Sequence, residues 1–276
     1  FLGGKGQYDG KELLLLDKLE ANPKNTKVMI LDGKDLFYYF TGHTVSGTLK
    51  SVTLATLGKS YKKGGEFKTD KKGLITHTTD TVEISGLKIS NPENVRGDLH
   101  NTVYALMGGA HEGGGKSDAA LLFSFVNSKG HKVKGTKKGD SYKGTDFKDK
   151  IDLGKGDDVL NGAGGNDVLK GGKGKDTFVF DTALGPSNVD KIKDFSPKED
   201  TIHLSGAIFA GLAAGKLANS AFTKGSSASD ADDRIIYDNK SGALYFDADG
   251  NGGAAQVKFA TVSKGLDLSA DNFFVV

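Results

Sequence analysis

Residues 135–179 read GTKKGDSYK, GTDFKDKID, LGKGDDVLN, GAGGNDVLK and GGKGKDTFV, five nine-residue units in a single register. The sixth position of each unit is an aspartate: Asp140, Asp149, Asp158, Asp167 and Asp176. The eighth is a large apolar or aromatic residue: Tyr142, Ile151, Leu160, Leu169 and Phe178. Glycines gather at the first, second and fourth positions, with Gly154, Gly156, Gly165, Gly172 and Gly174 among them. A flexible glycine-rich linker has no physical reason to return an apolar side chain every nine residues. A stacked repeat, in which each unit covers its neighbour, requires it.

The pattern resembles G-G-x-G-x-D-x-U-x, the nonapeptide of calcium-binding RTX proteins. That resemblance implies a parallel β-roll. Six residues make a turn, three make a short strand, and two units complete one coil, so each unit stacks on the next but one. Glycine permits positive φ and brings turn carbonyls together, while the sixth-position carboxylate supplies charge. A hard cation such as Ca²⁺ takes six or more oxygens. One turn cannot furnish them and two stacked turns can. The expected sites therefore pair Asp149 with Asp167 and Asp158 with Asp176, completed by backbone carbonyls of the glycine turns. The first unit, around Asp140, lacks two glycines and is expected to end the roll. About two or three ions fit this length of repeat. Lys155, Lys173 and Lys175 occupy turn positions. They are expected to point outward and to weaken the affinity, an effect that salt screens.

After Asp181 the pattern becomes alternating. Val189–Phe195, Asp200–Leu204, Arg234–Tyr237, Ala243–Phe246 and Gln256–Ala260 read as strands, and Ile208–Leu217 as one or two helical turns. This part resembles the β-rich C-terminal cap of secreted RTX proteins, which covers the open end of the roll and its unpaired edges. Asp247-Ala-Asp249-Gly-Asn251-Gly begins like an EF-hand loop, but its twelfth position is Lys258 where a bidentate glutamate is needed. It reads as a hairpin turn. The final Asp271-Asn-Phe273-Phe274-Val275-Val276 resembles the signal read by type I ABC exporters. Together these imply a secreted, extracellular module at 181–276 that folds with the roll once it meets external Ca²⁺, where binding free energy becomes folding free energy.

Composition narrows the rest. The 276 residues suffice for two domains, and the 40 glycines are about twice the ordinary share. With no cysteine, neither a disulfide nor thiol chemistry is available. No apolar run approaches the roughly 20 residues of a transmembrane helix. The net charge is +2, and Arg96 and Arg234 are the only arginines. A lysine surface without arginine forks reads as solubility rather than nucleic-acid binding. The chain starts at Phe1, which suggests further sequence upstream.

Residues 1–132 are expected to form an α+β module ahead of the roll at 133–180. Lys11–Glu20, Asp98–Met107 and Ser117–Asn127 read as helices, the last two with a capping side chain near the start. Lys27–Leu31, Leu36–Phe40, Thr44–Leu57 and Thr81–Ile89 read as strands. The half contains no H-E-x-x-H motif, no G-x-S-x-G elbow and no phosphate-binding glycine loop. His43, His77, His100 and His111 lack metal-pair spacing, so an enzyme is not expected.

Three segments of this half resemble the HasA-type haemophore family: FLGGKGQYD at Phe1–Asp9, DGKDLFYYFTGHTVSGTLKSV at Asp32–Val52, and VEISGL followed by GDLHNTVYALMGG within Val82–Gly109. The resemblance implies haem as a ligand, held by a tyrosine phenolate with a supporting histidine. It places the axial tyrosine at Tyr38, with Tyr39 as the alternative, and the histidine at His43. An outer-membrane haem receptor would then be a partner. The competing expectation is a secreted RTX surface or adhesion protein that binds polysaccharide or a cell surface without haem.

Overall fold

The computed structural model describes residues 8–16, 27–39, 44–56, 59, 79–91 and 127–276. The chain divides into two compact units, Phe1–Ser128 and Lys129–Val276.

In the first unit, β1 (Tyr8–Leu16), β2 (Lys27–Tyr39), β3 (Thr44–Thr56) and β4 (Thr79–Asn91) form an antiparallel meander. One apolar row crosses all four strands, Leu13 opposite Leu31, Leu31 opposite Val52, and Val52 opposite Ile84. Leu31 and Val52 in that row are buried, as are Ile30, Leu36, Leu49 and Ala55. Register slips by Gly33 and between Leu49 and Ser51 twist the long strands.

This corrects the α+β expectation. Among the described residues every regular element is a strand or a single 3₁₀ turn. The helix expected over Lys11–Glu20 is overturned by β1, which holds its first six residues. Lysine, glutamate and leucine are good helix formers, but the run Leu13–Leu16 has no helical period. Pairing with Leu31, Ile30, Met29 and Val28 of β2 decides its conformation. The helices expected at Asp98–Met107 and Ser117–Asn127 lie outside the described residues, apart from Asn127. Among the described residues no helix is long and apolar enough to cross a membrane.

The second unit is the expected parallel β-roll, continued into a β-rich cap. On one side β5 (Lys132–Lys134), β7 (Lys150–Lys155), β9 (Val168–Lys173) and β11 (Asp190–Ile192) pair in parallel. On the other, β6 (Ser141–Lys143), β8 (Val159–Asn161), β10 (Thr177–Phe180) and β12 (Thr201–Leu204) do the same. The eighth positions stack into two rows, Val133–Ile151–Leu169–Ile192 and Tyr142–Leu160–Phe178–Ile202. Apart from Tyr142, every member of the two rows is buried. At about 25 cal/mol per Å² of apolar surface, burial of these rows stabilises the roll.

The cap prolongs both sheets. β13 (Gly215–Lys216) and β14 (Phe222–Lys224) are short edge strands. β17 (Val257–Thr261) adds to β11, followed outward by β16 (Ala243–Phe246), β15 (Ile235–Asp238) and β14. β18 (Phe273–Val275) adds to β12 in parallel and carries β13. Phe180 of the roll meets Phe259 edge-on at 5.1 Å, and Phe209 meets Phe246 and Phe259 at 5.2 Å each. Residues 208–214 form turns rather than a helix, starting where the Ser205 carbonyl accepts from Ile208 and Phe209. The Asp247–Gly252 segment is the loop of the β16–β17 hairpin, closed by Phe246 opposite Val257.

Candidate metal centre

The aspartates of the repeat form two columns. In one, the Asp140 N–H donates to Asp158 Oδ1 at 2.7 Å, the Asp158 N–H to Asp176 Oδ1 at 3.0 Å, and the Asp176 N–H to Asp200 Oδ1 at 3.0 Å. In the other, the His131 N–H donates to Asp149 Oδ1, the Asp149 N–H to Asp167 Oδ1 at 2.7 Å, and the Asp167 N–H to Asp190 Oδ1 at 3.0 Å. Asp149, Asp158, Asp167, Asp176, Asp190 and Asp200 thus each fix the coil before them with Oδ1, while Oδ2 of Asp140, Asp149 and Asp200 accepts from the N–H of Thr136, Thr145 and Ser196 in its own turn. Asp149, Asp158, Asp167 and Asp176 are all buried.

The glycines make room for those second oxygens. A Cβ on Gly144 would lie 2.3 Å from Asp149 Oδ2 and 2.4 Å from the Gly162 carbonyl oxygen. A Cβ on Gly135 would lie 2.4 Å from the Leu153 carbonyl oxygen and 2.8 Å from Asp140 Oδ2. Carboxylate and carbonyl oxygens from successive coils therefore converge on the same small spaces. Gly154, Gly156, Gly165, Gly172 and Gly174 all have positive φ. The requirement is strictest at Gly172, whose φ is +112° and whose Cβ would lie 1.9 Å from the Gly154 carbonyl oxygen. No side chain fits there.

The family of RTX calcium-binding nonapeptide repeats, in four copies, matches residues 143–178. The chain carries RTX calcium-binding repeats. Among solved structures it is similar to the AlgE6R2 subunit of the Azotobacter vinelandii mannuronan C5-epimerase. That likeness has 22% identity and a TM-score of 0.31, over 49% of this chain and 85% of that one. It is also similar to the AlgE6R3 subunit of the same enzyme, with 27% identity and a TM-score of 0.20, over 50% and 79%. No curated protein matches the chain.

The RTX columns suit a hard cation. Asp158 Oδ2 and Asp167 Oδ2 are buried with no hydrogen-bond partner. A buried carboxylate oxygen in that state carries a desolvation cost that a cation offsets. The donors are oxygens throughout, the ligand chemistry of Ca²⁺. Among the described residues no three acidic, histidine or cysteine side chains gather as a metal cluster, so backbone carbonyls must contribute. Lys155, Lys173 and Lys175 are exposed, as expected. Among the described residues the ion pairs are Lys143–Asp181, Lys170–Asp152, Lys216–Asp271 and Lys224–Asp267, none of them on a column carboxylate.

Burial is the largest influence on Asp158, Asp167, Asp176, Asp190 and Asp200. It pushes Asp158 up to about 6, opposed by the Asp140 N–H and reinforced by the carboxylates of Asp176, Asp140 and Asp157. Asp200 is likewise pushed up to about 6 by burial. Asp167, Asp176 and Asp190 are raised for the same first reason.

Three column members escaped the sequence reading. His131 fills the sixth position of a unit ahead of Asp140, with Val133 at its eighth. Asp190 and Asp200 carry the same Asp-x-apolar signature, Asp190-Lys-Ile192 and Asp200-Thr-Ile202. The roll therefore begins one unit before Asp140. Tyr38 and Tyr39 end β2, opposite Val45 and Thr44 at the start of β3. His43 lies outside the described residues.

Proposed function

We propose that the chain is a secreted calcium-binding protein, not an enzyme, in which Ca²⁺ bound along the two carboxylate columns folds residues 129–276. The observation that carries this reading is the buried acid ladder with its two orphaned oxygens. Without a cation these acids repel and resist desolvation. With one, binding free energy becomes folding free energy. Export through a type I ABC exporter belongs to the same reading. Calcium is scarce inside the cell and near millimolar outside, the range of weak extracellular modules, so the roll passes out metal-free and folds afterwards. Far-UV circular dichroism of the full chain tests it. Added Ca²⁺ should produce a strand spectrum in the roll that a chelator removes. An identical spectrum in chelator overturns it.

Haem capture by the first unit is a second reading, favoured by the β2–β3 register that brings Tyr39 opposite Thr44, the neighbour of His43. A haemin titration giving a one-to-one Soret band that Tyr38→Ala abolishes supports it. The spectrum of free haemin removes it.

A further inference from the structure

The two outward faces of the roll differ in charge. On the sheet of β5, β7, β9 and β11, one outward row is Lys132, Lys150, Val168 and Lys191. The next is Lys134, Asp152 and Lys170, continued by Lys193, whose N–H donates to the Leu169 carbonyl at 2.9 Å. All six lysines are exposed. On the other sheet the matching rows are Ser141, Val159, Thr177 and Thr201, and Lys143, Asn161, Val179 and His203. Their one lysine, Lys143, is paired with Asp181 at 2.8 Å. Lysines placed for solubility alone have no reason to collect on one face.

The lysine face is poorly neutralised. Asp152 bridges Lys170 at 3.1 Å, and Asp194 Oδ1 accepts from the Gly171 N–H at 3.2 Å. Among the described residues Lys134, Lys150, Lys191 and Lys193 make no ion pair. Lys132 and Lys150 stand directly opposite one another, a like-charge pairing that destabilises a sheet. Strands about 4.8 Å apart, with alternate residues about 6.6 Å apart along each, set these charges in a flat lattice. The two rows hold no arginine, aromatic or amide side chain, so what they recognise is charge alone. That suits a partner whose anionic groups are dense and free to rearrange. In the turn leading into β7, Phe147 takes the place of the fourth-position glycine and is 48% exposed, next to Lys148. An exposed aromatic among lysines suits a lipid headgroup layer.

We infer that the lysine face of the roll docks on a membrane surface rich in anionic lipid headgroups. Lysine ammonium groups on long stems reach individual headgroups without the fixed fork geometry of arginine. Juxtaposed lysines in this number are the usual footprint of attraction to an anionic leaflet.

Co-sedimentation of the full chain with vesicles in saturating Ca²⁺ tests it. The wild-type chain should bind phosphatidylcholine vesicles that carry phosphatidylglycerol, come off as salt is added, and ignore phosphatidylcholine alone. Lys150→Gln combined with Lys193→Gln should weaken binding roughly tenfold or more. Lys143→Gln combined with Lys216→Gln removes the same charge from the other sheet and should leave binding unchanged. Should the first pair fail to fold, acetylation of the wild-type chain answers instead, with Lys134, Lys150 and Lys191 shielded by the anionic vesicles and Lys216 not. Equal weakening by the two pairs, or equal acetylation with and without vesicles, overturns the inference. So does capture of single-stranded DNA or a uronic-acid polysaccharide with the vesicles left unbound.

Discussion

The buried aspartates carry the behaviour of the second unit, and their protons report on it. A carboxyl whose pKa is higher in the folded chain binds its proton more tightly there. Its stabilising contribution is full below the unfolded value of 3.8 and is lost as pH rises through the folded value, about 6 for Asp158 and Asp200. Asp181 and Asp233 have depressed pKa values and act in the opposite sense, but below the ordinary carboxylate range. His203, lowered from 6.5 by burial, opposes the acids near the top of the window. It is one group against several. The metal-free second unit, unfolded near neutral pH, is therefore expected to gain strand content as pH falls from about 7 to about 5. In Ca²⁺ the trend should reverse, because protons compete for the same oxygens. Circular dichroism in chelator and thermal melts in calcium check both signs, and a metal-free spectrum indifferent to pH contradicts the burial account.

Among the elements, the strands of the roll are three to six residues long and depend on the turns between them. Gly172→Ala places a Cβ against the Gly154 carbonyl at a φ of +112°. Backbone strain of this kind costs about 1–3 kcal/mol, so a higher Ca²⁺ concentration should be needed to fold the variant, measured by circular dichroism. The same repeat explains what was legible beforehand. Asp149, Asp158, Asp167 and Asp176 stand in register because their spacing is constant. Asp190 and Asp200 were hidden by insertions that break the 18-residue period, although the local Asp-x-apolar signature survives. His131 was hidden because its identity departs from the repeat while its position does not. In the first unit the strand residues after Lys27 were legible, although the two strands expected at Lys27–Leu31 and Leu36–Phe40 are one continuous β2. β1 was not, since four successive leucines carry neither period and the partner strand settles the choice. The cap hairpin at Ala243–Thr261 was legible because its turn residues interrupt two clean strands.

At the scale of the molecule, Lys129–Val276 is one compact unit in which cap and roll share both sheets. Phe273 continues the Ile202 row, and Phe180 packs into the cap beside Phe259. Both are buried, so the roll has no bare apolar end on that side. Shared sheets make folding of roll and cap cooperative, and a cation bound in the columns stabilises both. Hydrogen–deuterium exchange of the full chain, in calcium and in chelator, tests this most directly. Calcium-driven folding predicts that amides of β7 to β12 and of β15 to β17 become protected together when Ca²⁺ is added, and lose that protection in chelator. Equal protection of these strands in chelator and in calcium would contradict it.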